Sequence, residues 1–215
     1  MSYAVKEIYF TLQGEGVQAG RPAVFLRFAG CNLWSGREGQ RERGPGGCAR
    51  WCDTDFVGID GPGGGRFADA PTLAAAVARA WPAPPRDALV VCTGGEPLLQ
   101  LDAPAIAALH AAGFAVAVES NGTLPAPAGI DWLTISPKPG RPLRQRRGDE
   151  LKLVYPQPEP EMAPEHFVGL DFRHFALQPL DNAAQAANTQ AALDYCLAHP
   201  RWRLSLQTHK LLRIP

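Results

Sequence analysis

Short apolar runs separated by glycine, proline and polar turns set the rhythm of this chain. Residues 23–30, AVFLRFAG, are β-branched and aromatic and predict a strand that stops at Gly30. Before it, residues 8–16, IYFTLQGEG, begin as an apolar strand and finish in a polar glycine turn. Further strands are predicted at 88–93 (ALVVCT), 114–120 (FAVAVES), 131–136 (DWLTIS), 150–155 (ELKLVY), 173–178 (RHFALQ) and 202–207 (WRLSLQ). Helical segments fall between some of them. Residues 72–81 are alanine-rich with a threonine cap, and 102–112 have an aspartate cap, an early proline and a terminating Gly113. Residues 183–199 read as a long helix.

Strands alternating with helices imply an α/β fold with a parallel sheet and right-handed crossovers. The connections are uneven, some full helices and others only loops, so the pattern predicts a partial, irregular (β/α) barrel with few helices. One domain over residues 1–215 accommodates it, with a loop at 31–54 inserted after an early strand. Two glycine-rich stretches, 36–47 and 58–66, read as flexible loops, and the basic segment 141–147 as a solvated connection.

Charge narrows the function classes. The 21 basic and 21 acidic residues cancel, and a neutral chain is not built around a polyanion, which argues against nucleic acid. No apolar run approaches a membrane span, and MSYAVKEIYF has no leader pattern. The expected setting is therefore cytoplasmic, where thiols stay reduced and clustered cysteines serve as metal ligands or catalysts.

Three of the five cysteines, Cys31, Cys48 and Cys52, fall within one loop. Such a set suits a 4Fe–4S cluster with one iron left open, and equally a zinc site completed by Asp53 or a distant histidine. Cys92, in an apolar strand, and Cys196, on a helix, read as packing thiols. Polar clusters follow the strands directly: Cys31, then residues 93–97, 119–121, 136–138, 178–181 and 208–209. In a parallel α/β sheet these ends share one face, where sites assemble. Arg27 is an exposed-face arginine on an alternating strand, or an anion-binding group if that strand is buried on both sides. Glu96, beside the Gly94-Gly95 pair, is a solvated charge or a ligand partner.

Quoted together, TLQGEG (11–16), FLRFAGCNLW (25–34), WCDTDF (51–56), TGGEPLLQ (93–100), ESNGT (119–123), SPK (136–138), QPLDN (178–182) and QTHK (207–210) resemble the radical S-adenosylmethionine (SAM) superfamily. Within it they are most similar to the 7-carboxy-7-deazaguanine synthase family of queuosine and deazapurine biosynthesis. The likeness runs nearly end to end. One feature departs from the superfamily pattern of three and two residues between successive cysteines: here the gaps hold sixteen and three, which predicts a bulge at Ala49 or Arg50.

The resemblance implies a lyase that converts 6-carboxy-5,6,7,8-tetrahydropterin to 7-carboxy-7-deazaguanine with loss of ammonia, through a 5′-deoxyadenosyl radical. By motif match, Cys31, Cys48 and Cys52 would hold the 4Fe–4S cluster. SAM would meet Gly95 and Glu96, then Glu119 and Ser120, and Ser136, Pro137 and Lys138. Gln178, Pro179, Leu180 and Asp181 would complete its pocket, with Trp51, Cys52 and Asp53 alongside. Leu12, Gln13, Gly14 and Glu15 would face the pterin together with Arg27, Thr93 and His209, and the terminal carboxylate of Pro215 would reach it. Thr54 matches a Mg²⁺ ligand, and an oxygen donor suits that hard cation. The resemblance further implies a homodimer and a flavodoxin-type electron donor.

Overall fold

In the computed structural model, which describes residues 2–43, 47–83 and 86–215, nine strands form one sheet. They are β1 (Tyr3–Leu12), β2 (Pro22–Phe28), β3 (Gly65–Phe67), β4 (Ala88–Gly94) and β5 (Phe114–Ser120), then β6 (Trp132–Ile135), β7 (Arg147–Tyr155), β8 (Asp171–Pro179) and β9 (Trp202–Leu204). Their spatial order is β3-β1-β2-β4-β5-β6-β7-β8-β9. From β2 to β9 every neighbouring pair is parallel, and from β4 onward the spatial order is the chain order. A parallel sheet that always winds the same way is an opened α/β barrel, as the sequence predicts.

The first strand departs from that reading. It begins at Tyr3 rather than residue 8 and pairs antiparallel with β2, so the chain opens on a hairpin. Two charges inside the run, Lys6 and Glu7, disguise it. Lys6 reaches Asp60 at 2.8 Å and Asp55 at 2.9 Å, and the register shifts between Val5 and Glu7. The glycine stretch 58–66 is also not the free loop its composition suggests. Gly61 N–H donates to the Lys6 carbonyl at 2.9 Å, and a Cβ on Gly64 would stand 2.2 Å from that same oxygen. Only glycine lets this segment lie flat on β1. In the other glycine stretch, residues 44–46 lie outside the described residues; the flanking segments Glu38–Arg43 and Gly47–Arg50 are 3-10 turns.

Three α-helices, α1 (Ala70–Ala80), α2 (Ala103–Ala111) and α3 (Gln185–Ala198), lie in the β3–β4, β4–β5 and β8–β9 connections, and α4 (Thr208–Leu212) is a short terminal turn. The cap of α1 is Asp69, not Thr72. Asp69 accepts from Thr72 N–H at 2.9 Å while Thr72 Oγ1 accepts from Asp69 N–H at 3.3 Å, a reciprocal box that starts the helix two residues early. Strand alternation divides the sheet into two faces. One carries Val90, Cys92, Val116, Val118, Leu151, Leu153, Phe175 and Leu177, packed under Leu73, Val77, Ile106 and Leu109 of the helices. Cys92 is wholly buried there, and Cys196 packs at its edge.

The other face starts apolar, with Ala23, Leu89, Val91 and Ala117, and turns polar toward the strand C-termini. Arg27 stands opposite Thr93, and Glu119 opposite Thr134, which in turn lies opposite Glu150. Lys152 and Gln178 follow at the next inward positions of β7 and β8. The sheet curls enough for its two ends to meet: Gly16 N–H donates to Ser205 Oγ at 2.8 Å, and Thr208 N–H to the Gly14 carbonyl at 2.9 Å. No helix among the described residues is long and apolar enough to cross a membrane.

Candidate active site

The thiols come first. Cys31 leaves β2 just after Gly30, whose φ of +89° turns the chain outward. Cys48 sits in a single helical turn closed by the N–H groups of Trp51 and Cys52, which donate to its carbonyl at 3.1 and 2.9 Å. The expected bulge at Ala49 or Arg50 is therefore not the solution adopted. A four-residue step in helical conformation puts Cys48 and Cys52 on one side of the turn, which absorbs the extra residue. Arg41 braces this turn, donating to the carbonyls of Ala49 at 2.6 Å and Cys52 at 3.0 Å while its guanidinium lies 4.5 Å from the Trp34 ring centre.

All three thiols are free and line one cavity of about 190 Å³. Burial pushes the Cys48 thiol up to about 11 and raises Cys31 as well, so a cation is needed to hold them as thiolates. Among the described residues, no three His, Cys, Asp or Glu side chains stand close enough to share one metal ion. A cluster that offers a separate iron to each sulfur needs no such convergence on one point. Buried Trp34 Nε1 has no partner among the described residues, a spare donor in the apolar packing of Cys31 and Cys52.

The wall of this cavity is built from strand ends: Thr93, Gly94 and Gly95 at the end of β4, Glu119 to Asn121 at the end of β5, Ser136 and Lys138 after β6, and Gln178 of β8. Trp51, Asp53 and Thr54 close it from the cysteine loop. Gly95 is sterically obliged, because a Cβ there would stand 2.3 Å from the Gly30 carbonyl and 2.6 Å from Cys31 Cβ. Glu96 is neither a solvated charge nor part of the lining. It is fully buried behind the wall, accepting from Ser120 Oγ at 2.8 Å, Asn121 N–H at 2.8 Å and Leu98 N–H at 3.0 Å. Burial raises its carboxyl against those bonds. Lys138, whose ammonium burial disfavours, donates to Ser136 Oγ at 2.6 Å.

Besides Glu96, four sequence-predicted residues stand apart from this lining. Pro137 faces a neighbouring hollow with Arg141 and Met162. Pro179 ends β8, and the Leu180 carbonyl accepts from Asn188 Nδ2 at 2.7 Å. Asp181 shares Lys210 with Asp53, at 2.5 and 2.6 Å.

A second cavity of about 320 Å³ adjoins the first, with Glu15, Asp53, Thr54, Thr93, Glu119 and Gln207 lining both. Leu12, Gln13, Gly14, Glu15, Arg27, Thr93, His209 and Pro215 all line it. Arg27 is not a surface arginine. Its Nε donates to Glu7 Oε1 at 2.7 Å and its Nη2 to Tyr9 Oη at 3.0 Å, leaving Nη1 facing no partner among the described residues. The C-terminal segment closes the far side. His209 packs so tightly on Gly14 that a Cβ there would meet Nδ1 at 2.3 Å, and Thr11 Oγ1 donates to a Pro215 oxygen at 3.0 Å.

Asn121, Gln207 and Lys210, inside the ESNGT and QTHK runs but given no role there, also belong to these walls, as do Lys152 and Tyr9, which no motif covers. Lys152 left a trace as a lone cation at an inward position of an otherwise apolar strand, ELKLVY.

Comparison with known proteins agrees with this fold. No family model matches the chain. The 7-carboxy-7-deazaguanine synthase of Caulobacter vibrioides is 61% identical over 215 residues, covering all of both chains. That of Bordetella pertussis is 60% identical over the same full span, and that of Nitratidesulfovibrio vulgaris 55% over the full length of both. Among solved structures, QueE from Escherichia coli superposes with a TM-score of 0.68 at 26% identity, over 96% of this chain and 94% of that one.

Proposed function

The chain belongs to the 7-carboxy-7-deazaguanine synthase family, and from that premise we propose that it is a radical SAM carbon–nitrogen lyase. It would convert 6-carboxy-5,6,7,8-tetrahydropterin to 7-carboxy-7-deazaguanine with loss of ammonia, in queuosine precursor biosynthesis. The observation that carries this reading is the pair of adjoining cavities: one holds three free thiols, and the other is lined by every residue matched to the pterin. Substrate and radical source can then meet across a shared wall.

The donor set fits the implied groups. Cys31, Cys48 and Cys52 would hold the 4Fe–4S cluster, and Gly95, Glu119, Ser120, Ser136, Lys138 and Gln178 would hold SAM. Together these would supply a 5′-deoxyadenosyl radical able to abstract hydrogen from the pterin. The chain's own groups then bind and orient. Gly95 offers backbone unobstructed by a side chain, and Lys138 places a positive charge beside the cysteines. Arg27, fixed through Nε and Nη2, keeps Nη1 for the substrate carboxylate. Thr54 would offer its oxygen to Mg²⁺ at the junction of the cavities. Gln13, Glu15 and the Pro215 carboxylate provide acceptors for the pterin amino and ring N–H donors. His209 and the curled terminus keep water out. A single domain, a homodimer and a flavodoxin-type reductant complete the proposal.

The deciding experiment is an anaerobic reaction of reconstituted protein with SAM, dithionite, Mg²⁺ and 6-carboxytetrahydropterin, read by mass spectrometry. 7-carboxy-7-deazaguanine is expected. Formation of 5′-deoxyadenosine alone would refute the substrate, and an intact cluster with neither product would refute the radical chemistry.

A further inference from the structure

Where the two cavities meet, one buried cation organises the polar wall. Lys152 projects from β7 with its side chain 5% exposed, and its Nζ pairs with Glu15 Oε2 and, at 3.1 Å, with Glu119 Oε2. The other oxygen of each carboxylate is held by an amide. Gln13 Nε2 donates to Glu119 Oε1 at 2.8 Å, and Gln207 Nε2 to Glu15 Oε1 at 3.0 Å. Gln13 Oε1 in turn accepts from Glu15 N–H at 3.1 Å. The loop after β1, strands β5 and β7, and the C-terminal segment are thereby tied in one closed network. A buried lysine with two carboxylates is costly to assemble for stability alone.

We propose that Lys152 is the positioning residue of the substrate pocket: it fixes Glu15 and Glu119 as oriented anions that receive the N–H donors of the pterin. This rests on the functional reading above, because the ligand donors are those of the proposed substrate. Glu15 and Glu119 line both cavities, whereas Lys152 lines only the one that holds the cysteines. The ammonium therefore stands behind the carboxylates as seen from the substrate side, and acts on the ligand through them.

The local charge balance depends on Lys152. Glu150, two residues earlier on the same face, is 1% exposed and leaves Oε1 without a partner among the described residues. Three carboxylates thus surround a single ammonium. The other titratable groups facing them are Lys138 and His209 toward Glu15, Tyr9 toward Glu119, and His174 toward Glu150. Of these, Tyr9 is already engaged by Arg27 and Lys138 by Ser136. Without Lys152 the carboxylates repel one another in a desolvated wall, which favours proton uptake by one of the pair that faces the substrate. A protonated carboxyl has lost acceptor capacity, and the pterin loses an anchor.

The test measures equilibrium binding of 6-carboxytetrahydropterin and of SAM to anaerobically reconstituted protein between pH 6 and 9. Wild type is expected to bind the pterin with little pH dependence from this wall. Lys152→Met should bind it at least about tenfold more weakly near neutrality, with affinity rising roughly tenfold per pH unit up to the raised carboxyl pKa. Iron content should stay close to wild type, and SAM affinity should fall less than pterin affinity, because Glu119 alone of the two carboxylates is assigned to SAM. Lys152→Arg, which restores the charge, should flatten the pH profile again. If Lys152→Met does not fold, the charge-relieved Lys152→Met/Glu150→Gln variant is measured instead, with the same expectation. Wild-type affinity with a flat profile in either folded Met variant would overturn the role of Lys152. Failure of wild type to bind the pterin would instead overturn the functional reading.

Discussion

Replacing Gly95 by alanine isolates the demand that the cysteine loop makes on the strand-end wall. The residue is not in a left-handed conformation, so the argument is purely one of space. A Cβ would stand 2.3 Å from the Gly30 carbonyl oxygen, 2.7 Å from its carbon and 2.6 Å from Cys31 Cβ. The obstacle is backbone and cannot swing aside. Relief requires β2 and β4 to part at their ends, which breaks the bond from Glu96 N–H to the Gly30 carbonyl, now 3.0 Å. The lost hydrogen bond costs about 1 kcal/mol and the overpacking a further ~1–3 kcal/mol. For a domain of this size that lowers Tm by roughly 4–16 °C. Cys31 moves with Gly30, so cluster loading should fall as well. Thermal melts of the metal-free protein, paired with iron and sulfide analysis after reconstitution, read both effects. A Gly95→Ala protein with wild-type Tm and full iron would refute the reasoning.

Other outcomes follow from the same geometry. Cys48→Ser should lose most iron on reconstitution while Cys92→Ala keeps it, because only the first thiol reaches the cavity; equal iron contents would contradict this placement. Adding residues after Pro215 should weaken pterin binding without altering SAM binding, since Thr11 and the second cavity hold the terminus; unchanged pterin affinity would show the carboxylate to be idle. Glu15 has its carboxyl held down to about 2: burial opposes the shift, but Lys152 outweighs it. A depressed folded pKa contributes stability that is present above the ordinary value of 4.5 and is lost as pH falls toward 2, on the order of 3 kcal/mol in all. Acid titration of Glu15→Gln, followed by circular dichroism, should therefore show a shallower loss of stability over that window than wild type.

The fold class, most strands and the gathering of three thiols in one loop could be read from the sequence because each depends on short-range chemistry. Alternating β-branched runs mark β2, β4 and β5, the Asp102 cap marks α2, and the strand-end motifs mark one face of a parallel sheet. What tertiary structure decided is of another kind. Lys6 and Glu7 hid the first half of β1, and only ion pairs to Asp55 and Asp60 in a distant loop let that segment be a strand. The 58–66 glycines look loose in sequence but are fixed, because their lack of side chains is what lets backbone lie on backbone. Cys48 and Cys52 could be counted, yet their common side of a helical turn is a backbone property that spacing alone does not specify. Arg27 and Glu96 remained ambiguous because burial is set by what packs around a residue. The Lys152 network joins positions 137 and 33 residues apart, and no local pattern encodes contacts between strands that meet only when the sheet curls.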